Sequence, residues 1–433
     1  MAIQSLLIIL IVLAVLLIVG VPISYSIGIS ALIAILQTVP LEVSVVTGAQ
    51  RIFVGMSKFS LTAIPFFILA GNLMNQGGIA KRLVDFVMAI LGKLPGALLV
   101  TNVGATALFG AISGSASAAA AAVGSMVEKG EEEQGYDKAL CAATNGASAP
   151  SGLLIPPSNA LITYSLAAGG TSVAALFMAG YIPGIIWAVA CMIVAVIIAK
   201  KKGYKGIPGK YDWKNLGICT LRALPALSLI IVVIGGIIGG VFTATEGSAI
   251  AVVYALVLGI IYKNITLKSF WRITVESAKM SGMVVFLIGV SNILGWVMAF
   301  TQIPQAISDA LLGLTSNPII ILLIMNVILL IAGTFMDVTP AILIFTPLFL
   351  PVVKTFGMNP VQFGLILVYN LCIGNITPPV GNTLFVAIKV GRSSLSKDMP
   401  YMLWYYVAIL IGLLLVTYIP AVSLGLPGAA GLI

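Results

Sequence analysis

Residues Gly374–Asn382 read G-N-I-T-P-P-V-G-N, in the middle of an apolar segment that runs from about Val361 to Ile388. Two consecutive prolines remove two helix donors, and the flanking glycines loosen the ladder further. A helix entering this segment must therefore break at bilayer depth. Broken backbone is not tolerated against lipid, only where it is buried in protein or lines a polar cavity. Asn375, Thr377, Asn382 and Thr383 add side-chain oxygens at the break, which points to an ion or polar-substrate site.

The same device occurs upstream, where Gly152–Asn159 reads G-L-L-I-P-P-S-N. An offset of 222 residues pairs Gly152 with Gly374, Pro156 with Pro378 and Pro157 with Pro379. It also pairs Ser115 with Asp337 and Ser117 with Thr339 in the segments just before. Matching interrupted segments in two halves are the sequence mark of a secondary transporter's binding site.

Composition sets the class. Of 433 residues, 60% are hydrophobic and 8% charged, against roughly 25% charged in soluble domains. The expected fold is an all-α polytopic membrane protein. Its net charge of +9 sits in short loops between spans, so it is not a nucleic-acid footprint. No histidine is present, which removes His relays, His ligands and Ser-His catalysis. The four cysteines fall singly in apolar segments. The Gly92-Lys93 and Gly209-Lys210 pairs lack the Ser or Thr of a phosphate-binding loop, so no ATP hydrolysis is expected.

Taken in order, spans are expected at Ile3–Val21, Ser24–Val39 and Leu61–Met74, with a polar connector carrying Arg51 and Lys58. Ile79–Leu94 is too charged to cross but has helical apolar spacing, which suits an interfacial helix. Pro95–Val127 is interrupted at Ser113–Ser117. Each half has about 15 residues, roughly 22 Å, too short for a ~30 Å core. A re-entrant hairpin fits better. The acidic run Glu128–Lys138 reads as a solvated turn. A broken span (Ala139–Leu166) and a span (Val173–Ala199) then lead to the basic loop Lys200–Lys214.

The second half repeats the plan. Spans at Leu216–Gly240 and Gly247–Tyr262, and one ending near Phe300, precede an interfacial helix at Ile303–Leu314. A second hairpin follows at Pro318–Pro351, with its tip at Gly333–Pro340, then the broken span and a last span at Met402–Ile419. About ten spans, two hairpins and two interfacial helices result. With basic loops inside, both termini fall outside and the halves have opposite topology, an inverted repeat. Arg51, Lys58 and Lys354 dissent. Four regions are expected: scaffold helices and the first arm in 1–94, the first transport half in 95–200, scaffold and the second arm in 216–316, and the second transport half in 317–425.

Two tips and two breaks would meet near the midplane, where carbonyl and hydroxyl oxygens suit sodium and half-helix N-termini suit a carboxylate. Asp337 is the one carboxylate expected deep in the membrane, as an ion ligand, a substrate contact or a helix cap. Its partner by offset is Ser115, so the other site need not use a carboxylate. An intramembrane enzyme would need a paired acid or a nucleophile–base set, which is not apparent.

The pattern resembles the large membrane subunit of tripartite ATP-independent periplasmic (TRAP) transporters. The likeness lies in P-F-F-I-L-A-G-N-L-M (Pro65–Met74), G-A-I-S-G-S-A-S-A (Gly110–Ala118), P-S-G-L-L-I-P-P-S-N (Pro150–Asn159), G-T-F-M-D-V-T-P (Gly333–Pro340) and G-N-I-T-P-P-V-G-N (Gly374–Asn382). It implies sodium-coupled import of an organic acid such as sialic acid, a four-carbon dicarboxylate or a related sugar acid, across a bacterial inner membrane, by an elevator motion. Implied partners are a periplasmic substrate-binding protein and a small four-span membrane subunit. The latter is expected on a separate polypeptide, since the chain starts almost at its first large-subunit span. No cofactor is implied beyond the coupling sodium ions. Carried over, Ser113, Ser115, Ser117, Gly152, Ser158 and Asn159 match the first cation region. Gly333, Thr334, Asp337, Thr339, Gly374, Thr377, Gly381 and Asn382 match the second. Substrate contact is expected from Ser115, Asp337, Asn159, Asn375 and Thr383. The competing expectation is a stand-alone sodium-coupled carboxylate carrier that needs no binding protein.

Overall fold

Long apolar segments in a bilayer can satisfy their backbone only as helices or closed barrels, and here every regular element among the described residues is helical. The computed structural model describes residues 2–209, 211–315 and 317–433. Met1 and Ser316, at predicted region ends, and Lys210, in the predicted basic loop and the second Gly-Lys pair, lie outside the described residues.

The chain opens with α1 (Ala2–Ile18), α2 (Ile23–Ile35) and α3 (Leu41–Met56). A short 3-10 turn, Phe59–Thr62, leads into α4 (Ala63–Gln76). Here the structure departs from the sequence expectation: the polar connector holding Arg51 is a helix. It is bent by 60° from the helix that follows. Its small residues Ser44, Gly48 and Gly55 are buried. They let it lie close to α14 (Leu267–Phe300), where a Cβ on Gly55 would come within 3.1 Å of the Gly289 Cα. Close approach through small residues is how helices associate without a hydrophobic drive. Asn72 of α4 donates to the Ser277 hydroxyl of α14 at 2.8 Å. The group is completed by α12 (Trp213–Ile238) and α13 (Ala244–Ile261), with α13 against α4. Lys268, Arg272 and Lys279 lie in the first turns and middle of α14.

The two interfacial candidates form as expected, α5 (Ile79–Leu91) and α15 (Ile303–Leu314). One rests on α6 (Ala97–Ser113) and α12, the other on α17 (Val338–Thr355).

Both hairpins form: α6 with α7 (Ala116–Glu133), and α16 (Pro318–Phe335) with α17. Their legs are 17 to 18 residues long, longer than the sequence suggested. Both α16 and α17 are by themselves long and apolar enough to cross a membrane. The broken spans are α8 (Lys138–Ser148), α9 (Ser151–Leu154) and α10 (Asn159–Ala167), then α18 (Pro360–Gly374) and α19 (Asn382–Val390). The tandem prolines are joined by a cis peptide bond in both. Around them pack α11 (Val173–Lys202), α20 (Leu395–Tyr418) and α21 (Pro420–Ala429), the last a helix beyond the predicted final span.

The hairpins and breaks are held by matched contacts. Ser148 and Asn370, themselves 222 residues apart, each bond the first leg of their own hairpin. The Thr106 hydroxyl donates to Ser148 at 2.9 Å, and the Asn370 amide donates to Asn326 at 2.9 Å. Two glycine pairs bring backbone against backbone. A Cβ on Gly152 would lie 2.2 Å from the Gly110 Cα, and one on Gly374 would lie 2.3 Å from the Gly333 carbonyl carbon.

The acidic run is not wholly solvated. Glu131 is buried, with one carboxyl oxygen unpartnered. Burial pushes its pKa up to about 7, a hydrogen bond with Cys141 opposing, and Glu128 adds to the rise. The neighbouring acids are paired: Glu132 with Lys138 at 2.8 Å and Glu128 with Arg392 at 3.1 Å.

Candidate functional site

Each hairpin tip ends one helix and caps the next. Gly114 stands at φ +63, a left-handed conformation that stops α6. Ser115 then turns extended and accepts from Ala118 N, capping α7. Its hydroxyl also meets that of Ser117 at 3.3 Å. In the second tip Asp337 caps α17, one oxygen accepting from Val338 N at 2.9 Å. At the first break Ser158 caps α10 and donates a short hydrogen bond to the Leu153 carbonyl.

These ends meet at a cavity of about 200 Å³. One wall is polar and comes from both halves: Ser115, Ser117, Asn159, Asp337, Thr339 and Asn375. The facing wall is apolar, built by Ile64 and Ile68 of α4 and Met280 and Val284 of α14. Helices α7, α10 and α17 begin at the cavity, so three positive dipole ends point to it. The C-terminal ends of α6 and α18 also reach it, at Gly114 and Asn375. Anionic and cationic groups thus both find complementary backbone here without a lysine or arginine in the lining.

Several oxygens at the site have no protein partner. These are Asn159 Oδ1 and Asn375 Oδ1 on the cavity wall, and Thr383 Oγ1 just behind it. A buried, unpaired acceptor is costly, and a hard cation or a ligand donor would satisfy it. Thr383 N also donates to the Asn375 carbonyl at 3.2 Å, which ties the two ends of the second break.

The other sequence candidates lie around the cavity rather than on it. Ser113 sits behind the first tip, its backbone against Gly71 of α4. Gly152, Gly333 and Gly374 occupy the close glycine contacts described above. Ser158 spends its hydroxyl within the break. Thr334 and Thr377 donate back to Ile331 O and Ile373 O. Gly381, at φ +26, and Asn382, exposed, start α19. Missed by the sequence reading were Thr163, one turn along α10 from Asn159, and the apolar wall. The i, i+4 spacing of Asn159 and Thr163 could have flagged the former. Nothing local marks the wall.

Residues 10–422 match the family described as tripartite ATP-independent periplasmic transporter, DctM component. The chain is 48% identical to the uncharacterised protein YgiK of Salmonella typhimurium, over 96% of this chain and 95% of that one. It is 39% identical to the isethionate TRAP transporter permease protein DctMQ of Oleidesulfovibrio alaskensis, covering 96% of this chain and 65% of that relative. It is 38% identical to the C4-dicarboxylate TRAP transporter large permease protein DctM of Pseudomonas aeruginosa, over 94% and 95%. Among solved structures, the Alcanivorax borkumensis YdaH transporter superposes with a TM-score of 0.61 at 14% identity, over 85% of this chain and 87% of that one. That likeness concerns the fold.

Proposed function

The chain belongs to the family of the DctM component of tripartite ATP-independent periplasmic transporters, and on that premise we propose that it is the large permease subunit through which a small organic anion enters the cell together with sodium. It is a multi-pass protein of a bacterial inner membrane, a transporter component and not an enzyme. The family works with a small membrane subunit and a periplasmic binding protein.

The observation that carries the proposal is the single cavity lined by both tips and both breaks. In this reading Asp337, Thr339 and the free oxygens of Asn375 and Thr383 serve one sodium ion. Ser115, Ser117 and Asn159 serve a second. The substrate anion lies between them against the N-termini of α7 and α10, held by hydroxyls, amides and bound sodium. Relatives named for a dicarboxylate and for isethionate support an anion class that includes sulfonates as well as carboxylates.

We assign the hairpins, the broken spans, α11, α20 and α21 to a moving transport domain. We assign α1–α4 and α12–α14 to a scaffold braced by α5 and α15. The apolar wall from α4 and α14 is then the surface past which the polar wall slides, an elevator motion between inverted repeats. Both termini are periplasmic in this scheme. The small subunit is a separate chain, a reading supported by near full-length similarity to a relative named a large permease protein.

The test is uptake into proteoliposomes holding this chain and its small partner. An inward sodium gradient is compared with none, each with and without the binding protein. Uptake that needs both is the expected result. Uptake with sodium alone would replace the tripartite reading with a stand-alone carrier. A cysteine at Asn317 should react with a membrane-impermeant thiol reagent from the periplasm, and reaction only from the cytoplasm would overturn the topology.

A further inference from the structure

A second, larger space lies away from the transport cavity. It is a cleft of about 500 Å³ between arm helix α5, the connecting segment before α12, and the first turns of α12. Its volume is many times that of one water, roughly 30 Å³, so it suits a molecule rather than an ion. Among the described residues its charged lining is Asp85 and Lys93 on the arm side, and Asp212 and Arg222 on the α12 side.

The position of these groups is informative. Arg222 stands nine residues into α12, about 13 Å along the axis from Trp213 at 1.5 Å per residue, beside exposed Ile218 and Leu221. The cleft therefore runs from the polar loop toward lipid-facing surface. Exposed Tyr211 lines it and lies against exposed Trp213, ring centroids 5.8 Å apart, the placement of aromatic residues at a membrane interface. Lys93 is steadied by donating to Ile207 O and Pro208 O, both at 3.2 Å. Tyr211 is hydrogen-bonded to the Ile90 carbonyl, which keeps the segment against the arm.

Two cations alone would describe a phosphate site. Two carboxylates in the same cleft disfavour a bare polyanion and call for a ligand that carries an ammonium as well. We propose that this cleft holds the headgroup of a zwitterionic aminophospholipid. The phosphate lies toward Arg222 and Lys93 and the primary ammonium toward Asp85 and Asp212. The acyl chains run along Ile218 and Leu221. Arginine matches phosphate through its planar fork, and a primary ammonium donates three hydrogen bonds to carboxylates. Seated there, the lipid packs α5 against α12 and stiffens the arm. The inference goes beyond the transport reading and does not depend on which solute is carried.

Native mass spectrometry of the detergent-purified full chain tests it, with phosphatidylethanolamine, phosphatidylcholine and phosphatidylglycerol added at equal concentration. Phosphatidylethanolamine should be retained about tenfold more than phosphatidylcholine, whose quaternary amine cannot donate. Arg222→Gln should lower that retention about tenfold and Arg222→Lys less. Asp85→Asn should narrow the preference over phosphatidylcholine. Equal retention of the three lipids by the wild type, a comparison that needs no variant, would overturn the proposal. So would wild-type retention in both Arg222→Gln and Asp85→Asn. Displacement of the lipid by soluble O-phosphoethanolamine at equal concentration would reassign the cleft to a soluble ligand and also sink it.

Discussion

The first leg of one hairpin, α6, is held on every side, whereas its counterpart in the other, α16, is held along one. Every residue of α6 except Leu108 is buried, and the helix rests on α5, α7, α8, α9 and α11. In α16 only Ile321, Leu322, Met325, Asn326, Leu329 and Gly333 are buried. It packs on α18 and touches its own partner leg, α17, sparsely. The tips follow suit: Ser113 and Ala116 are buried, while Asp337 and Phe335 are exposed. The same contrast holds at the breaks, where Pro156 and Ser158 are buried but Pro379, Val380 and Asn382 are exposed. The two halves share a chain plan and differ in how much protein surrounds the first legs, the tips and the breaks. The half with the carboxylate is the more open one. An acid is costly to bury and is tolerated where solvent or a counter-ion reaches it.

The largest effect that sharpens this contrast is expected at the tips. Asp337→Ala should lower the apparent sodium affinity of uptake by tenfold or more, as for the loss of a charge-assisted ligand, ~1.5–3 kcal/mol. Ser115→Ala, at the matching position, should cost only a few-fold, about 0.5–1.5 kcal/mol. Equal losses in sodium titrations of the two variants would break the comparison.

Next come the glycine contacts. Gly152→Ala and Gly374→Ala should each destabilise by roughly 1–3 kcal/mol through overpacking, read as lower Tm. In the tighter half both members should respond, since a Cβ on Gly110 meets Gly152 at 2.6 Å. In the open half Gly333→Ala should be milder, its nearest contact being 3.1 Å. A Gly333→Ala loss as large as that of Gly374→Ala would show that α16 cannot yield.

Accessibility gives a third measure. In detergent, a cysteine at Met336 should react with a thiol reagent several-fold faster than one at Ala116, which is 2% exposed. Matching rates would mean that both tips open alike.

The smallest effect lies at the base of the first hairpin, where α7 carries buried Glu131. Its pKa in the folded chain is raised from 4.5 to about 7. The folded state therefore binds a proton more tightly than the unfolded one. The stability this gives is fully present below pH 4.5 and is lost as pH rises through about 7. The melting point should fall by the equivalent of about 1 kcal/mol between pH 6 and pH 8. Glu131→Gln should flatten that slope, and an unchanged slope would mean the charge is accommodated.

Much of the plan was legible in the chain. The tandem prolines with flanking glycines announced the breaks, and Ser113–Ser117 and Gly333–Pro340 announced the tips, because local backbone chemistry alone forbids a continuous helix there. The helix α3 was not legible by hydropathy, since Glu42, Gln50 and Arg51 dilute its apolar character. Its signal was instead the small-residue stripe Ser44, Gly48 and Gly55. Glu131 was misread because its neighbours Glu128, Glu132 and Glu133 are acidic too, and nothing local tells which of a run turns inward.

The sequence by itself determined the helical class, the two hairpins and the duplicated breaks. These follow from period, proline and glycine within a few residues, and from the need to satisfy every backbone group in lipid. Only the tertiary structure decided which oxygens face the cavity and which are spent on capping, and that α4 and α14 supply its apolar wall. It also decided that Gly152 and Gly374 serve as close contacts. Those outcomes depend on distances between segments some forty to three hundred residues apart, which no local pattern encodes.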